Sequence, residues 1–107
     1  MQLVCGGLIA PIIKPFRAMK HTERIERINA GLNRHFKSNR DAWWVNNEGC
    51  TRSDIVTLHR GHGGDRIDPR WVALYILRTE PSVKTVHYAM ACTIYTRESL
   101  RWAGFKI

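Results

Sequence analysis

Hydrophobic residues recur at steps of three and four between residues 22 and 38, which is the period of one face of an α-helix. The positions in this stripe are Ile25, Ile28, Leu32 and Phe36. Thr22 is a suitable N-cap, and the acidic residues that follow it match the positive end of the helix dipole. The pattern therefore predicts a helix over residues 22–38 with a basic polar face.

A second helix is predicted to begin after Asp68, because an aspartate cap followed by Pro69 at the first helical position is a strong start signal. The apolar run WVALYILR continues this helix to Thr79, shortly before Pro81. A buried strand is the alternative for such a run, but the Asp-Pro start favours the helix.

A third helix is predicted from residue 81 or 82 to residue 94. Its evidence is an apolar stripe formed by Val83, Val86, Met90 and Ile94. The β-branched content of this segment keeps a strand open as the alternative. Thr96 is then the N-cap of a short fourth helix, RESLRWA, which Gly104 ends.

The segment between the first two helices is less regular. Trp43–Val45 predicts a short strand or a core plug, and residues 53–60 fit either a helix capped by Ser53 or a strand. The sequence as a whole therefore predicts a mainly α fold, a small single-domain bundle of three to four helices, with the option of a short β-hairpin around residues 42–59. Residues 1–18, which glycine and proline interrupt, are predicted to be an extended arm before one basic globular domain at 19–107.

Charge adds a functional expectation to this fold. The 107 residues contain 17 basic and 9 acidic side chains, a net charge of +8, and most of the basic ones are arginine. Arginine binds phosphate and carboxylate groups through paired hydrogen bonds. The expected partner is nucleic acid or an acidic protein surface. The N-terminal apolar stretch is too short to span a bilayer, and three widely spaced cysteines indicate free thiols, so we expect a cytoplasmic protein without a membrane partner.

The candidate contacts are basic residues of the first helix, basic residues around a glycine-rich stretch, and the start of the predicted third helix. They are Arg24, Arg27 and Arg34; Arg60, Arg66 and Arg70; and Lys84 with Thr85. Trp43 and Trp44 are candidate interface aromatics, whereas Trp71 is expected in the core.

The stretch HRGHGGDRIDPR, residues 59–70, resembles several kinds of site at once. Its histidines and aspartates have the spacing of one helix face, but three glycines disfavour a helix there, so we expect no metal. It lacks the lysine and the hydroxyl residue of a nucleotide-binding P-loop, and no clear strand precedes it. The remaining interpretations are a solvated connector and a loop whose arginines contact phosphate or an acidic surface.

Two segments resemble the C-terminal DNA-binding domain of the bacterial replication initiator DnaA. DPRWVALYIL resembles its R-P-R-Q-V-A-M-Y-L helix, and KTVHYAMACTI is similar to its H-T-T-V-L-H-A segment. The resemblance implies an all-helical domain that reads duplex DNA, with Arg70 and Thr85 at matching motif positions and Val86 in the core. Lys84 stands where the family has its first threonine, and only RTEPS replaces the helix and glycine-rich turn between the segments.

These observations together predict a small, non-enzymatic nucleic-acid-binding module, with DNA favoured over RNA, no catalytic residue and no cofactor. The alternative is an inhibitor or adaptor, of the kind that phages and mobile elements encode, which binds a larger protein through its basic face. A third interpretation is a metal-independent nuclease that uses histidines as acid and base.

Overall fold

Three helices and two pairs of consecutive strands follow one another along the part of the chain that the structure describes. The computed structural model describes residues 21–36, 42–47, 52–64 and 67–107. The elements there are α1 (His21–Phe36), β1 (Trp43–Asn46), β2 (Ile55–Arg60), α2 (Pro69–Thr79), β3 (Thr85–Tyr88), β4 (Thr93–Thr96) and α3 (Arg97–Trp102). Single 3-10 turns follow β2 and β3, at His62–Gly64 and Ala89–Ala91.

The four strands form one mixed sheet in the order β1-β2-β3-β4. β1 and β2 are antiparallel, β2 and β3 are parallel with α2 as the connection between them, and β3 and β4 are antiparallel. The fold is therefore α/β, and the predicted mainly α bundle is wrong. The optional hairpin around residues 42–59 corresponds to the antiparallel pair β1 and β2.

The predicted helix over residues 81–94 is the main error. The segment forms β3, a 3-10 turn and part of β4. Val83 and Val86 are buried, as the helical stripe required, but Met90 and Ile94 are 58% and 59% exposed. Burial alternates instead along β3, where Val86 and Tyr88 are buried between half-buried neighbours. The β-branched residues therefore follow the period of a strand, which pairing with β2 stabilises.

The other helices follow their local signals. The predicted first helix is confirmed over the described residues His21–Phe36, and residues 37–38 of the prediction lie outside them. At the start of α2, Asp68 accepts a hydrogen bond of 2.9 Å from the Arg70 amide. Thr96 and Ser99 form a reciprocal capping box at the start of α3. Gly104, with φ of 97°, follows the end of that helix in a conformation that glycine adopts readily.

The core lies between the helices and one face of the sheet. From the sheet it contains Trp43, Val45, Val56, Leu58, Val86 and Tyr88; from the helices, Ile28, Leu32, Val72, Ala73, Ile76, Leu77 and Leu100. Strand alternation directs the other side chains to the opposite face, Trp44, His59, His87 and Ile94 among them. The described residues therefore form two layers.

Residues 1–18, the predicted N-terminal arm, lie outside the described residues. None of the helices within the described ranges is both long enough and apolar enough to cross a membrane.

Candidate nucleic-acid interface

The predicted contact residues do not form one patch, because they lie at opposite ends of α2. Its 11 residues span about 16 Å. Near its C-terminal end, Arg24 donates a hydrogen bond to the backbone oxygen of Ser53, and the Lys84 amide donates to the backbone oxygen of Asp54 at 2.8 Å. Thr85 is half-buried in β3. Arg60 and Arg70 lie at the other end, and Arg66 is outside the described residues.

Arg27 is held by an ion pair that joins α1 to the end of α2. Its Nε and Nη2 atoms donate to the two carboxylate oxygens of Glu80 at 2.7 and 2.8 Å. Glu80 is buried, and the hydrogen bond to it is the main reason that the pKa of Arg27 is raised. Arg27 therefore has a structural partner inside the molecule. The sequence predicted Arg27 as a phosphate contact and did not indicate this partner.

Arg34 is exposed beside a cleft of about 340 Å³ between α1 and α2. Tyr75, Thr79 and Pro81 line the α2 side of this cleft. Gly31 lets the helices approach closely, because an added Cβ would lie 2.7 Å from the Tyr75 hydroxyl oxygen. The cleft is at the low end of the size of ligand pockets, and Arg34 lines it together with the Arg27–Glu80 ion pair.

The glycine-rich stretch is a packed connection between β2 and α2. The Gly61 amide donates to the Ala42 oxygen at 2.8 Å. An added Cβ on Gly64 would lie 2.6 Å from Arg60 Cγ and 2.7 Å from the Ala42 oxygen. At this position the glycine is required by contact with the start of β1. The glycines directly follow β2, so the expectation that no strand precedes this stretch is wrong.

At the end of this stretch, Asp68 binds the backbone amide and the guanidinium of Arg70, which would otherwise be available to a phosphate. It accepts from the Arg70 amide at 2.9 Å, and from Nε and Nη2 of the same residue at 3.0 and 2.7 Å. The guanidinium of Arg70 holds the pKa of Asp68 below its usual value. The same guanidinium lies 5.3 Å from the centre of the Phe105 ring. An anion would therefore compete with Asp68 for the start of α2.

The two candidate interface tryptophans differ in exposure. Trp43 is 2% exposed and packs in the core near Tyr88, so its assignment to an interface is wrong. Trp44, on the opposite face of β1, is 36% exposed and stacks on His59 with 5.4 Å between ring centres. Trp71, expected in the core, is 53% exposed. Helix geometry explains this exposure, because Trp71 faces away from Ala73 and Leu77 on α2.

A surface that the sequence interpretation missed lies where α2, α3 and the residues after α3 meet. We call it the tryptophan face; it consists of Arg70, Trp71, Arg78, Arg101, Trp102 and Lys106. Trp71 and Arg78 are two turns apart on α2 and exposed, whereas Tyr75 between them is half-buried and stacks on His35 of α1. In the sequence, this surface is indicated by the position of Trp71 and Arg78 opposite the buried residues of α2.

The segment 105–107 runs between the two helices and is bound by both. The Phe105 amide donates to the Leu100 oxygen at 2.9 Å and the Gly104 amide to the Arg101 oxygen at 3.0 Å, which turns the chain back after α3. The Phe105 ring packs edge-on against Trp71, with 5.0 Å between ring centres. This turn places the last residues against α2.

Two arginines fix the end of that segment. Arg78 donates to the backbone oxygen of Lys106. Arg101 Nε donates to the backbone oxygen of Ile107 at 2.8 Å. Trp102, the residue after Arg101, is 86% exposed and shares a shallow depression with Arg101 and Glu98. The tryptophan face thus combines exposed rings with arginines that bond to backbone oxygens, and the carboxylate of Glu98 adjoins it.

The histidines of the nuclease interpretation are distributed among different elements. His35 stacks on Tyr75, with 4.3 Å between ring centres, and His59 stacks on Trp44. His87 lies on β3. Within the described ranges, no three histidine, cysteine, aspartate or glutamate side chains are grouped so that they could hold a metal ion.

Comparisons with protein-family models, with curated proteins and with solved structures find no match to this chain. The resemblance to the DnaA domain therefore stays a prediction. The fold differs from that expectation at residues 84–94, which form two strands and a 3-10 turn where the resemblance implies the start of a recognition helix.

Proposed function

We propose that this chain is a small basic module that binds nucleic acid through its phosphates and carries out no reaction on it. The observation that supports the proposal is the excess of basic over acidic side chains among the described residues. The described residues contain eleven basic and six acidic side chains. Three carboxylates are paired with arginines in the contacts Arg27–Glu80, Arg52–Asp54 and Arg70–Asp68. Each pair removes one positive and one negative charge, so the described residues keep an excess of five positive charges, which makes their surface strongly positive.

The basic residues are not equivalent. The Arg97 guanidinium donates to the backbone oxygens of Leu77, Val83 and Glu80 at 2.6, 2.8 and 3.3 Å, so it closes the end of α2. Better candidates for phosphate contact are exposed side chains, namely Arg34, Arg78, Lys84, Arg101 and Lys106. Arg60, Arg66 and Arg70 remain candidates for the same role.

The test is the salt dependence of binding. Labelled duplex DNA, single-stranded DNA and RNA are titrated with the protein between about 50 and 200 mM salt. Contact with about four phosphates gives an affinity loss of roughly 100-fold over that range for a duplex, because each neutralised phosphate releases counterions. Arg34→Gln combined with Lys84→Gln is expected to reduce the salt slope, whereas Met90→Ala, an exposed change without charge, leaves it unchanged. If none of these ligands binds at the lowest salt concentration, the proposal is wrong.

One observation favours the alternative of a protein partner. Met90, Ala91 and Cys92 are exposed in sequence at the connection between β3 and β4, and Ile94 is exposed shortly after them. A run of exposed apolar residues is typical of a protein contact. An adaptor or inhibitor that docks through this connection would lose its partner in a Met90→Ser, Ile94→Ser double variant and keep any affinity for nucleic acid.

A further inference from the structure

The tryptophan face exposes aromatic ring area beside ordered positive charge. Trp102 is 86% exposed and Trp71 is 53% exposed. Arg101 adjoins Trp102 in sequence, and Arg78 lies two turns from Trp71 on α2. Exposed rings next to arginines are the arrangement that binds unpaired bases, because every base has a flat face that can stack on an aromatic ring.

The arginines on this face bond to backbone oxygens in the absence of a ligand. Arg78 and Arg101 each bond to a backbone oxygen in the segment 105–107. A guanidinium has five N–H groups, so each retains donors for a phosphate after its contact with a described backbone oxygen. A side chain already held in place loses less conformational freedom on binding. Lys106 adds a third positive charge at the same segment.

One carboxylate adjoins the tryptophan face. Glu98 shares the depression with Trp102 and Arg101. Like charges repel, so Glu98 disfavours a phosphate beside it, and the basic side chains Arg78, Arg101 and Lys106 are the better phosphate contacts.

We infer that the preferred partner is single-stranded nucleic acid, whose unpaired bases stack on Trp102 and Trp71 while Arg78, Arg101 and Lys106 contact its phosphates. This inference rests on the proposed nucleic-acid binding and makes it more specific. In a duplex the base faces are stacked on one another and offer nothing to an exposed ring. In addition, α3 has only 6 residues, about 9 Å of helix, and is short for an element that reads the major groove.

The experiment compares single strands with a duplex and removes one ring. Twelve-nucleotide dT and rU strands and a duplex of equal length are titrated at about 50 mM salt, with the wild type, Trp102→Ala, Trp102→Phe and the control Met90→Ala. We expect the wild type to bind single strands at least about tenfold more tightly than the duplex. Trp102→Ala should weaken single-strand binding by about 5- to 150-fold, Trp102→Phe by much less, and Met90→Ala not at all, because the loss comes from one stacked base. Duplex binding should be the same in all four proteins.

The outcomes separate this inference from the proposed function. Equal affinity for duplex and single strands, together with unchanged single-strand binding by Trp102→Ala, overturns the inference but leaves salt-dependent nucleic-acid binding intact. If the protein binds none of the strands and no duplex, the proposed function itself is wrong. Because Trp102 is almost fully exposed, the variants should fold, and circular dichroism checks this. A preference for either rU or dT supports the inference, since both offer unpaired bases.

Discussion

The ion pair between Arg27 and Glu80 makes it possible to test whether Arg27 stabilises the fold or contacts phosphate. Arg27→Ala removes two hydrogen bonds, of 2.7 and 2.8 Å, from a carboxylate whose side chain is 8% exposed. Loss of one partner from a fully buried pair costs about 3–5 kcal/mol, because the other charge stays buried. An exposed pair contributes only about 0–1 kcal/mol. Since the Arg27 side chain is 51% exposed and water can reach the vacated space, we expect a loss of about 1.5–2.5 kcal/mol in the free energy of unfolding.

Urea unfolding followed by tryptophan fluorescence measures this loss, and the buried Trp43 provides a signal. Arg27→Lys should lie between the wild type and Arg27→Ala, because lysine keeps the charge without the paired geometry. A double-mutant cycle with Glu80→Gln isolates the interaction itself, with an expected coupling above about 1 kcal/mol. A loss below about 0.5 kcal/mol, accompanied by weaker nucleic-acid binding, would show that Arg27 is a phosphate contact and would refute the structural interpretation.

Four further predictions concern the connection between β2 and α2 and the titration of single groups. Gly64→Ala should destabilise the protein by about 1–3 kcal/mol in urea unfolding, because its Cβ would lie 2.6 Å from Arg60 Cγ. Asp68→Asn keeps an N-cap acceptor but releases the Arg70 guanidinium. Titrations should therefore show a few-fold tighter binding of nucleic acid at low salt. Unchanged affinity would show that Arg70 does not contact the nucleic acid. In the wild type, the hydrogen bond from Arg70 lowers the pKa of Asp68. The ionised Asp68 therefore stabilises the fold fully above about pH 4, and this stabilisation is lost as the pH falls through the lowered pKa. The stability of Asp68→Asn should lack this dependence on pH in acid unfolding. Burial raises the pKa of Tyr95. The protonated phenol therefore contributes its full stabilisation below about pH 10, and this contribution is lost as the pH rises through the raised pKa. Tyr95→Phe should make the free energy of unfolding less dependent on pH in the alkaline range.

The elements that the sequence predicts well are those whose signals are local. Asp68 and Pro69 define the start of α2, and Thr96 and Gly104 bracket α3, through bonds to residues a few positions away. β3 has no such signal. Its partner β2 precedes it by thirty residues, with Ile55 opposite Thr85, and a pairing at that separation leaves no trace in a local hydrophobic period. The stripe from Val83 to Ile94 therefore fitted a helix equally well.

The same distinction applies to the candidate contacts. A sequence shows how many arginines a chain has but not which of them fold onto their own chain. The partner of Arg27 is 53 positions away, and Arg97 binds backbone oxygens 14–20 positions away. Trp71 is different, because its outward position was readable. It lies four residues from Tyr75 and seven from Arg78, on the side of α2 opposite the buried stripe.

The position of the loop at residues 61–68 explains why its composition resembles a binding site. It leaves the carboxyl end of a strand in a parallel pair and leads into the N-terminus of a helix, where α/β sheets commonly bind ligands. In this chain Gly64 is required by packing, and Asp68 already holds the Arg70 amide and guanidinium. Arg70, however, also belongs to the tryptophan face and lies next to Trp71. A nucleic-acid strand stacked on Trp71 would bring a phosphate to the same guanidinium that Asp68 holds, so the loop can take part in binding only by exchanging an internal carboxylate for an external phosphate.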